Sequence, residues 1–324
     1  MKTWNLALAV LSLGALALTA QAQPAPYPSK PIRLVIGFAP AGAADYVART
    51  LSDAFGKALG QTVIVDNKPG NGSSIAADIV AKAPADGYTL LIASPSSISV
   101  NPSLNSKLPY KPSDLQPVTK VTTSPLVLAV NAQMGISSVR ELVAAAKKDP
   151  GKLNYATSGN GSAPHLGAAL FTLITGTQLT HVPYKGGAPA VQSVMAGDTQ
   201  LTFGTSPSVL PQANGGKLRA IAVSTRERSP LMPELPGMRE AGLPEYNLEF
   251  WYGLFVPAGT PPAIVKKIYD AAVEAMQQPN VKAALAREGT EVSVSSSPEQ
   301  FASFLIDDGK FWVQLVKSAK VSVE

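Results

Sequence analysis

The feature that most limits how this chain can fold is a repeated order: a short β-branched run, a loop of small residues, then a stretch with helical spacing. Ile32–Phe38 is apolar enough for a buried strand, Ala39–Ala44 turns the chain, and Asp45–Leu59 places Val47, Leu51, Ala54, Phe55 and Ala58 along one side. Strand Thr62–Val65, glycine loop Asp66–Ser74 and helix Ile75–Lys82 repeat the order, and after the turn Ala83–Tyr88 comes a third strand, Thr89–Ala93. Such alternation gives a parallel sheet clad by helices on both faces. Ligands of such sheets sit beyond the carboxyl ends of the strands. Pro40–Asp45 and Ser94–Ser97 fall at such ends.

Two long extended runs divide the chain. Val121–Val130 carries Pro125 in its middle, and proline is not at home in a central strand, so the run reads as two strands joined at a crossing. Asn247–Val256 is placed to cross back. Between them lie helix Val139–Lys148, a strand around Gln178–Val182, a helix through Val191–Ala196, strand Gln200–Phe203, helix Val209–Asn214 and strand Leu218–Val223. Helices Ile264–Met276, Asn280–Glu288 and Pro298–Lys317 follow the return and would clad the first unit. The expectation is an α/β protein of two doubly wound lobes, residues 23–124 with 250–324 and residues 125–249, joined by two crossover strands with a cleft between them. That is the geometry of a solute trap.

One stretch of the second unit states a chemistry. Leu153–Ala156 ends a strand, Ser158-Gly159-Asn160-Gly161-Ser162 is a tight polar loop, and Leu166, Leu170, Leu173 and Ile174 then form one apolar stripe. Ser162 is placed as N-cap, Pro164 suits the first turn, and Gly176 stops the helix. Unpaired N–H groups and the helix dipole at such a start favour an anion, and glycines let backbone approach it. A merely structural turn has the same sequence. Neither the dinucleotide nor the P-loop signature can be laid over it, since Pro164 stands where a third glycine would be.

Met1-Lys2, the apolar run Leu6–Leu18 and Ala20-Gln21-Ala22 read as a secretory signal, residues 1–22, cleaved before Gln23. The run falls short of the roughly 20 residues of a membrane span. The chain has no cysteine, so disulfides, thiol nucleophiles and a lipidated cysteine at the cleavage site are excluded. A soluble periplasmic protein fits these features. The net charge of +5 falls by one, to +4, with the loss of Lys2, and the basic residues are scattered. No basic stripe interleaves with aromatics, so nucleic acid is not the expected partner.

The motifs now assembled resemble the tripartite tricarboxylate transporter substrate-binding proteins, the Bug receptors of β-proteobacteria. The resemblance runs from about Tyr27 to about Val321. It is carried by Phe38-Ala39-Pro40-Ala41-Gly42 with Asp45, Asp66-Asn67-Lys68-Pro69-Gly70, Ala83–Leu91, Asn101-Pro102-Ser103-Leu104, Leu108-Pro109-Tyr110, and Tyr155 with Ser158–Ser162 and His165-Leu166. His181–Gly186, Gly216–Ala220 and Trp251–Leu254 continue it. It implies a type II periplasmic binding fold, acting as a monomer, that closes over a small carboxylate and hands it to a membrane permease of one large and one small subunit, with no cofactor. It further implies a ligand shell drawn from Phe38, Ala39, Pro40, Ala41, Gly42, Ala43, Ala44 and Asp45, from Ser158, Gly159, Asn160, Gly161, Ser162 and His165, and from Ser94, Tyr184, Lys185, Gly204, Thr205 and Ser206. Three departures stand out: Ala41-Gly42 where the family usually has two glycines, Ala44 where it has Thr or Ser, and Gly204 where it commonly has an Asp suited to an amino-acid ammonium. Without that Asp, an aliphatic or aromatic mono- or dicarboxylate is expected rather than an amino acid, with Lys185 a candidate cation for a second carboxylate.

Several of these residues have plainer roles open to them. His165 and His181, the only histidines, lie 16 apart without metal-ligand spacing and read as packing or capping residues. Asp45 sits in a first helical turn, where a carboxylate complements the dipole. Tyr184-Lys185 lines either the cleft or a solvated edge, and Asp307-Asp308 reads as a solvated helix face. Asp66–Ser74 looks like a second anion cradle, but the resemblance gives it a structural role. The competing function is an exported serine hydrolase, against which stand the absence of G-x-S-x-G and the scarcity of histidines. An effector domain of a transcription regulator, with the same fold, is opposed by the signal sequence and the lack of a DNA-binding segment.

Overall fold

A computed structural model gives the fold and describes residues 26–319 and 321. The expected signal, residues 1–22, lies outside them.

Three strands open the chain, β1 (Ile32–Ile36), β2 (Val63–Asn67) and β3 (Thr89–Ala93), paired in parallel with β1 in the middle. Helix α1 (Ala43–Leu59) connects the first two and α2 (Ser74–Ala81) the next two. The α1 stripe read from the sequence is buried, with Val47, Leu51 and Phe55 at 1% exposure or less. Gly60 ends that helix in the left-handed region, φ 73°, its N–H returning to Gly56 and Lys57 carbonyls.

The first crossing run is one strand rather than two. β4 (Leu115–Asn131) is 17 residues long and changes partners at its proline. Residues Leu115–Pro125 pair antiparallel with β9 (Glu249–Pro257), and residues Leu126–Val130 pair with β7 (Leu201–Thr205). β8 (Leu218–Val223) takes the other edge of that second half. Pro125 has no N–H to offer a ladder, and it stands where the partner changes. The next N–H, of Leu126, goes to Ser224 Oγ at 2.7 Å. The proline therefore marks the crossing without breaking the strand.

The second lobe adds α4 (Val139–Lys148), preceded by the short α3 (Asn101–Leu104) of the first. After α4 come β5 (Asn154–Thr157), α5 (Ala163–Thr175), β6 (Thr180–Pro183) and α6 (Gly187–Ala196), then β7, α7 (Ser206–Asn214) and β8. The strand order β2-β1-β3-β9-β4-β7-β5-β6 is a single curled sheet whose two halves share β4. Strand β10 (Glu291–Val292), too short to read from sequence, pairs with Thr122 and Thr123 beside the crossing.

Helices α8 (Pro262–Gln277), α9 (Pro279–Arg287) and α10 (Pro298–Ser318) return to the first lobe. Helix α8 packs along α1, and α10 packs on β4 and the turn after β3. The second residue of the Asp307-Asp308 pair is not on a solvated face. Asp308 is half-buried and accepts Trp251 Nε1 at 3.0 Å and Trp312 Nε1 at 3.1 Å. Burial pushes its carboxyl up to about 6, against the opposing pull of those two bonds and of Lys120. Among the described residues no helix is long and apolar enough to cross a membrane.

Candidate functional site

The carboxyl ends of the strands of both lobes face one another. From the first lobe come the loop 37–42 after β1, the loop 70–73 after β2 and the turn 94–101 after β3. The second lobe contributes 158–162 after β5, 184–187 after β6 and 205–208 after β7.

The β1 loop is braced from below. Ala41 holds φ 62°, and its N–H donates to Asp45 Oδ2 at 3.0 Å. Arg49 Nε bonds both Asp45 oxygens at 3.0 Å, and Asn67 Nδ2 donates to Oδ1 at 3.0 Å. Burial raises the cost of this charge, yet the bonds from Arg49, Ala41 and Asn67 hold the carboxyl below its usual range. Asp45 is thus the brace of the loop, with its oxygens spoken for. Ala43 and Ala44 lie in the hydrophobic core, and Phe38 is buried with its carbonyl accepting Asn67 Nδ2 at 3.1 Å.

The loop after β2 meets the facing lobe, where a Cβ on Gly72 would overlap Asn160 O. Gly70, Asn71, Gly72 and Ser73 all have positive φ, a strained run of the kind held only where the surroundings dictate it. After β3 the chain makes a π-helical turn, Ser96–Val100, that runs into α3. Widened turns of this sort recur at functional sites. Residue Asn101 at its end donates through Nδ2 to Asn71 O at 2.8 Å, Gly72 O at 3.2 Å and Ser74 Oγ at 2.8 Å.

In the second lobe the glycine loop rests on an aromatic stack. The rings of His165 and His181 lie parallel at 4.0 Å, and Tyr155 stacks on His181 at 5.0 Å. His165 Nδ1 accepts the Gly161 N–H at 3.1 Å, and His181 Nε2 lies 2.7 Å from Thr157 Oγ1, which accepts the Gly159 N–H at 3.2 Å. Burial, helped in His165 by its neighbour, lowers the two rings to about 3 and about 4, so both are neutral. The histidines shape the loop. The Gly159 and Gly161 amides are committed to it, and what Ser162 offers is its hydroxyl. It occupies the N-cap position of α5, but its Oγ caps nothing.

Across the gap the two sets of loops touch. Ala39 N–H donates to Lys185 O at 3.2 Å. A Cβ on Gly186 would stand 3.0 Å from Ala39 Cβ, and one on Gly159 3.6 Å from Gly72 N. Lys185 itself is exposed at the rim, and Tyr184 turns its hydroxyl to Ser193 Oγ at 2.6 Å. Thr205 Oγ1 lies 3.1 Å from Ser208 Oγ, beside Gly187, whereas Ser206 Oγ donates to Pro125 O at 3.0 Å and so ties α7 to the crossing. At Gly204 a Cβ would run into Val209 Cγ2, so this position faces α7.

The electrostatics of the cleft come from backbone. Helices α1, α2, α5, α6 and α7 all begin at it, and none is capped by its own side chain. Elsewhere α4 and α10 are capped, by Ser138 and Ser297, while α8 and α9 start at prolines without a side-chain cap. Each uncapped start carries roughly half a positive charge. The six loops contain no Asp or Glu. Among the buried hydroxyls that lack a hydrogen-bond partner are Ser73, Ser94, Ser96, Ser97 and Ser162, from these same loops. An unbonded buried hydroxyl costs about 1–3 kcal/mol, so the set favours a polar guest. The sequence pointed to Ser94 and Ser162. Ser96 and Ser97 lie in the run Ser94–Ser97 that the sequence puts at a strand end, and Ser73 in the loop Asp66–Ser74 that looks like an anion cradle, but the expected ligand shell includes none of the three.

Two α/β lobes on a shared crossing strand, with uncapped helix starts facing across a cleft, define a periplasmic binding protein of the type II fold. The particular family follows from comparison: residues 47–321 match the family described as tripartite tricarboxylate transporter family receptor, and the chain belongs to it. It is 37% identical over 293 residues to the protein BugT of Bordetella pertussis, 90% of each chain being covered. A Rhodopseudomonas palustris protein solved with adipate superposes with a TM-score of 0.88 at 32% identity, covering 91% of this chain and 99% of that one. MatC of the same organism, solved with bound malate, gives 0.84 at 30% identity, covering 90% and 100%.

Proposed function

We propose that the chain, exported by a cleaved signal and acting as a monomer, captures a small carboxylate between its lobes, 23–124 with 250–324 and 125–249. It would deliver that carboxylate to a membrane permease of one large and one small subunit, doing no chemistry on it. The observation that carries this reading is the convergence of uncapped helix N-termini and unpartnered buried serine hydroxyls on one cleft whose six loops hold no acidic side chain. Charge-assisted hydrogen bonds from such donors are worth about 1.5–3 kcal/mol each.

The same electrostatics select the ligand class. An α-amino acid brings an ammonium, and burying an unpaired charge costs several kcal/mol. Asp45 is the nearest carboxylate along these loops, and Arg49 already holds it. The six cleft loops together, and not position 204 alone, lack a partner for such an ammonium. An aliphatic or aromatic mono- or dicarboxylate suits it, and the adipate and malate of the two R. palustris relatives support that choice.

A thermal-shift panel tests the reading. A carboxylate at a hundred times its Kd adds about 2.7 kcal/mol of stability. Adipate, malate, benzoate and their homologues should include such a ligand, while glutamate and aspartate should leave the melting temperature unchanged. An amino acid that stabilises strongly would contradict the ligand class.

A further inference from the structure

Asn101 does more than hold its own loop. Its Nδ2 binds the strained residues Asn71 and Gly72 of the first lobe. Its Oδ1 is buried without a hydrogen-bond partner and faces the second lobe. The place a Cβ would take on Gly161 overlaps that oxygen and lies 3.2 Å from Asn101 Cγ. A Gly161 Cα–H therefore points at the carboxamide oxygen. Alongside, a Cβ on Gly72 would overlap Asn160 O of the facing loop and stand 2.9 Å from Asn101 Nδ2. One carboxamide is thus wedged between a glycine of each lobe, at the loop that opens α5.

We propose that Asn101 is a positioning residue that latches the closed state. Its amide nitrogen fixes the Asn71–Ser73 loop, and its oxygen seats Gly161 of the opposite lobe, so the two anion-facing loops reach their final register together. The proposal rests on the closing-trap reading above. Gly161 is required at this contact for two separate reasons: its φ of 67° and the absence of room for any side chain. Contacts of the Cα–H to carbonyl kind are individually weak. The latch biases closure rather than enforcing it.

The lack of cysteine allows a test that needs no ligand. Ala39→Cys with Lys185→Cys places two thiols across the cleft, at the Ala39–Lys185 backbone contact, where the exposed position 185 has room for a side chain, and away from Asn101. The rate at which diamide closes that disulfide reports how often the lobes meet. Adding Asn101→Ala should slow it about two- to fivefold, the population change that a contact of this strength supports. Gly161→Ala should slow it as well, and Asn101→Ala added to Gly161→Ala should restore part of the loss by freeing the space the methyl needs. Equal rates with and without Asn101 would overturn the latch while leaving closure intact. A pair that never cross-links in either background would overturn closure, and the latch with it. If Asn101→Ala does not fold, Gly161→Ala decides alone, since an unchanged rate there means that the Gly161–Asn101 contact is not made.

Discussion

Ala41 carries a methyl in a conformation that costs an L-residue roughly 1–2 kcal/mol, and its N–H bond to Asp45 is what holds it there. Ala41→Gly should therefore raise stability by about 0.5–1 kcal/mol after the added freedom of the unfolded chain is subtracted. A urea midpoint at or below that of the wild type would show that the strain is relieved in some other way. The stacked histidines predict a pH dependence. Unfolded, both titrate near 6.5; folded, they titrate at about 3 and about 4. Below 6.5 protons bind the unfolded chain preferentially, so stability present at neutral pH is lost as pH falls toward 4, by up to about 1.4 kcal/mol per unit for each ring. Asp308 acts in the opposite sense in part of this window, because its folded value is raised. Wild type and His181→Gln share that contribution, so the difference between their urea midpoints from pH 7 to pH 4 isolates the ring, and the variant should show the shallower slope. At this scale the sequence located the loops better than the roles of their side chains: Ala43 and Ala44 pack in the core, and Ser206 ties α7 to the crossing. Ser162 reads as a cap from spacing alone, and only the three-dimensional setting shows its hydroxyl uncommitted. Asp308 looks solvated because the two indoles that bind it are brought together by the fold.

Elements were legible where periodicity is strong. Helix Val139–Lys148 and strands Thr89–Ala93 and Leu218–Val223 lie where the pattern puts them. What escaped has no period to read: the π turn Ser96–Val100 is neither alternating nor helically spaced, and β10 has two residues. Pro125 misled for a physical reason, since a proline can sit inside a long strand where the partner strand changes. Nothing local in the loop 70–73 shows that the facing lobe descends on Gly72. Where loops of both lobes meet, glycine is the element that permits contact. Gly186→Ala would set a methyl 3.0 Å from Ala39 Cβ and 3.1 Å from its nitrogen. Crowding of that order costs about 1–3 kcal/mol, and here the cost falls on the closed state alone. Affinity for the best carboxylate of the panel should drop about tenfold with the ligand-free melting temperature unchanged, since 1.4 kcal/mol is a factor of ten. Full affinity in the variant would mean that ligand does not bring these loops together.

For the whole molecule, the fold makes β4 and β9 both scaffold and hinge. β4 is continuous through the change of partner, so relative motion of the lobes bends the strand near Ser124-Pro125, with Ser206 and Ser224 anchoring the second lobe to it. On the proposed solute-trap reading, closure would bring five helix starts onto one anion, and ligand would supply the preference for the closed state. Small-angle scattering with and without a saturating carboxylate, taken from those that stabilise the protein, tests this most directly. A smaller radius of gyration with ligand, and a curve matching the structure in which the loops of the two lobes touch, is the expected result. Identical curves at saturation would contradict it.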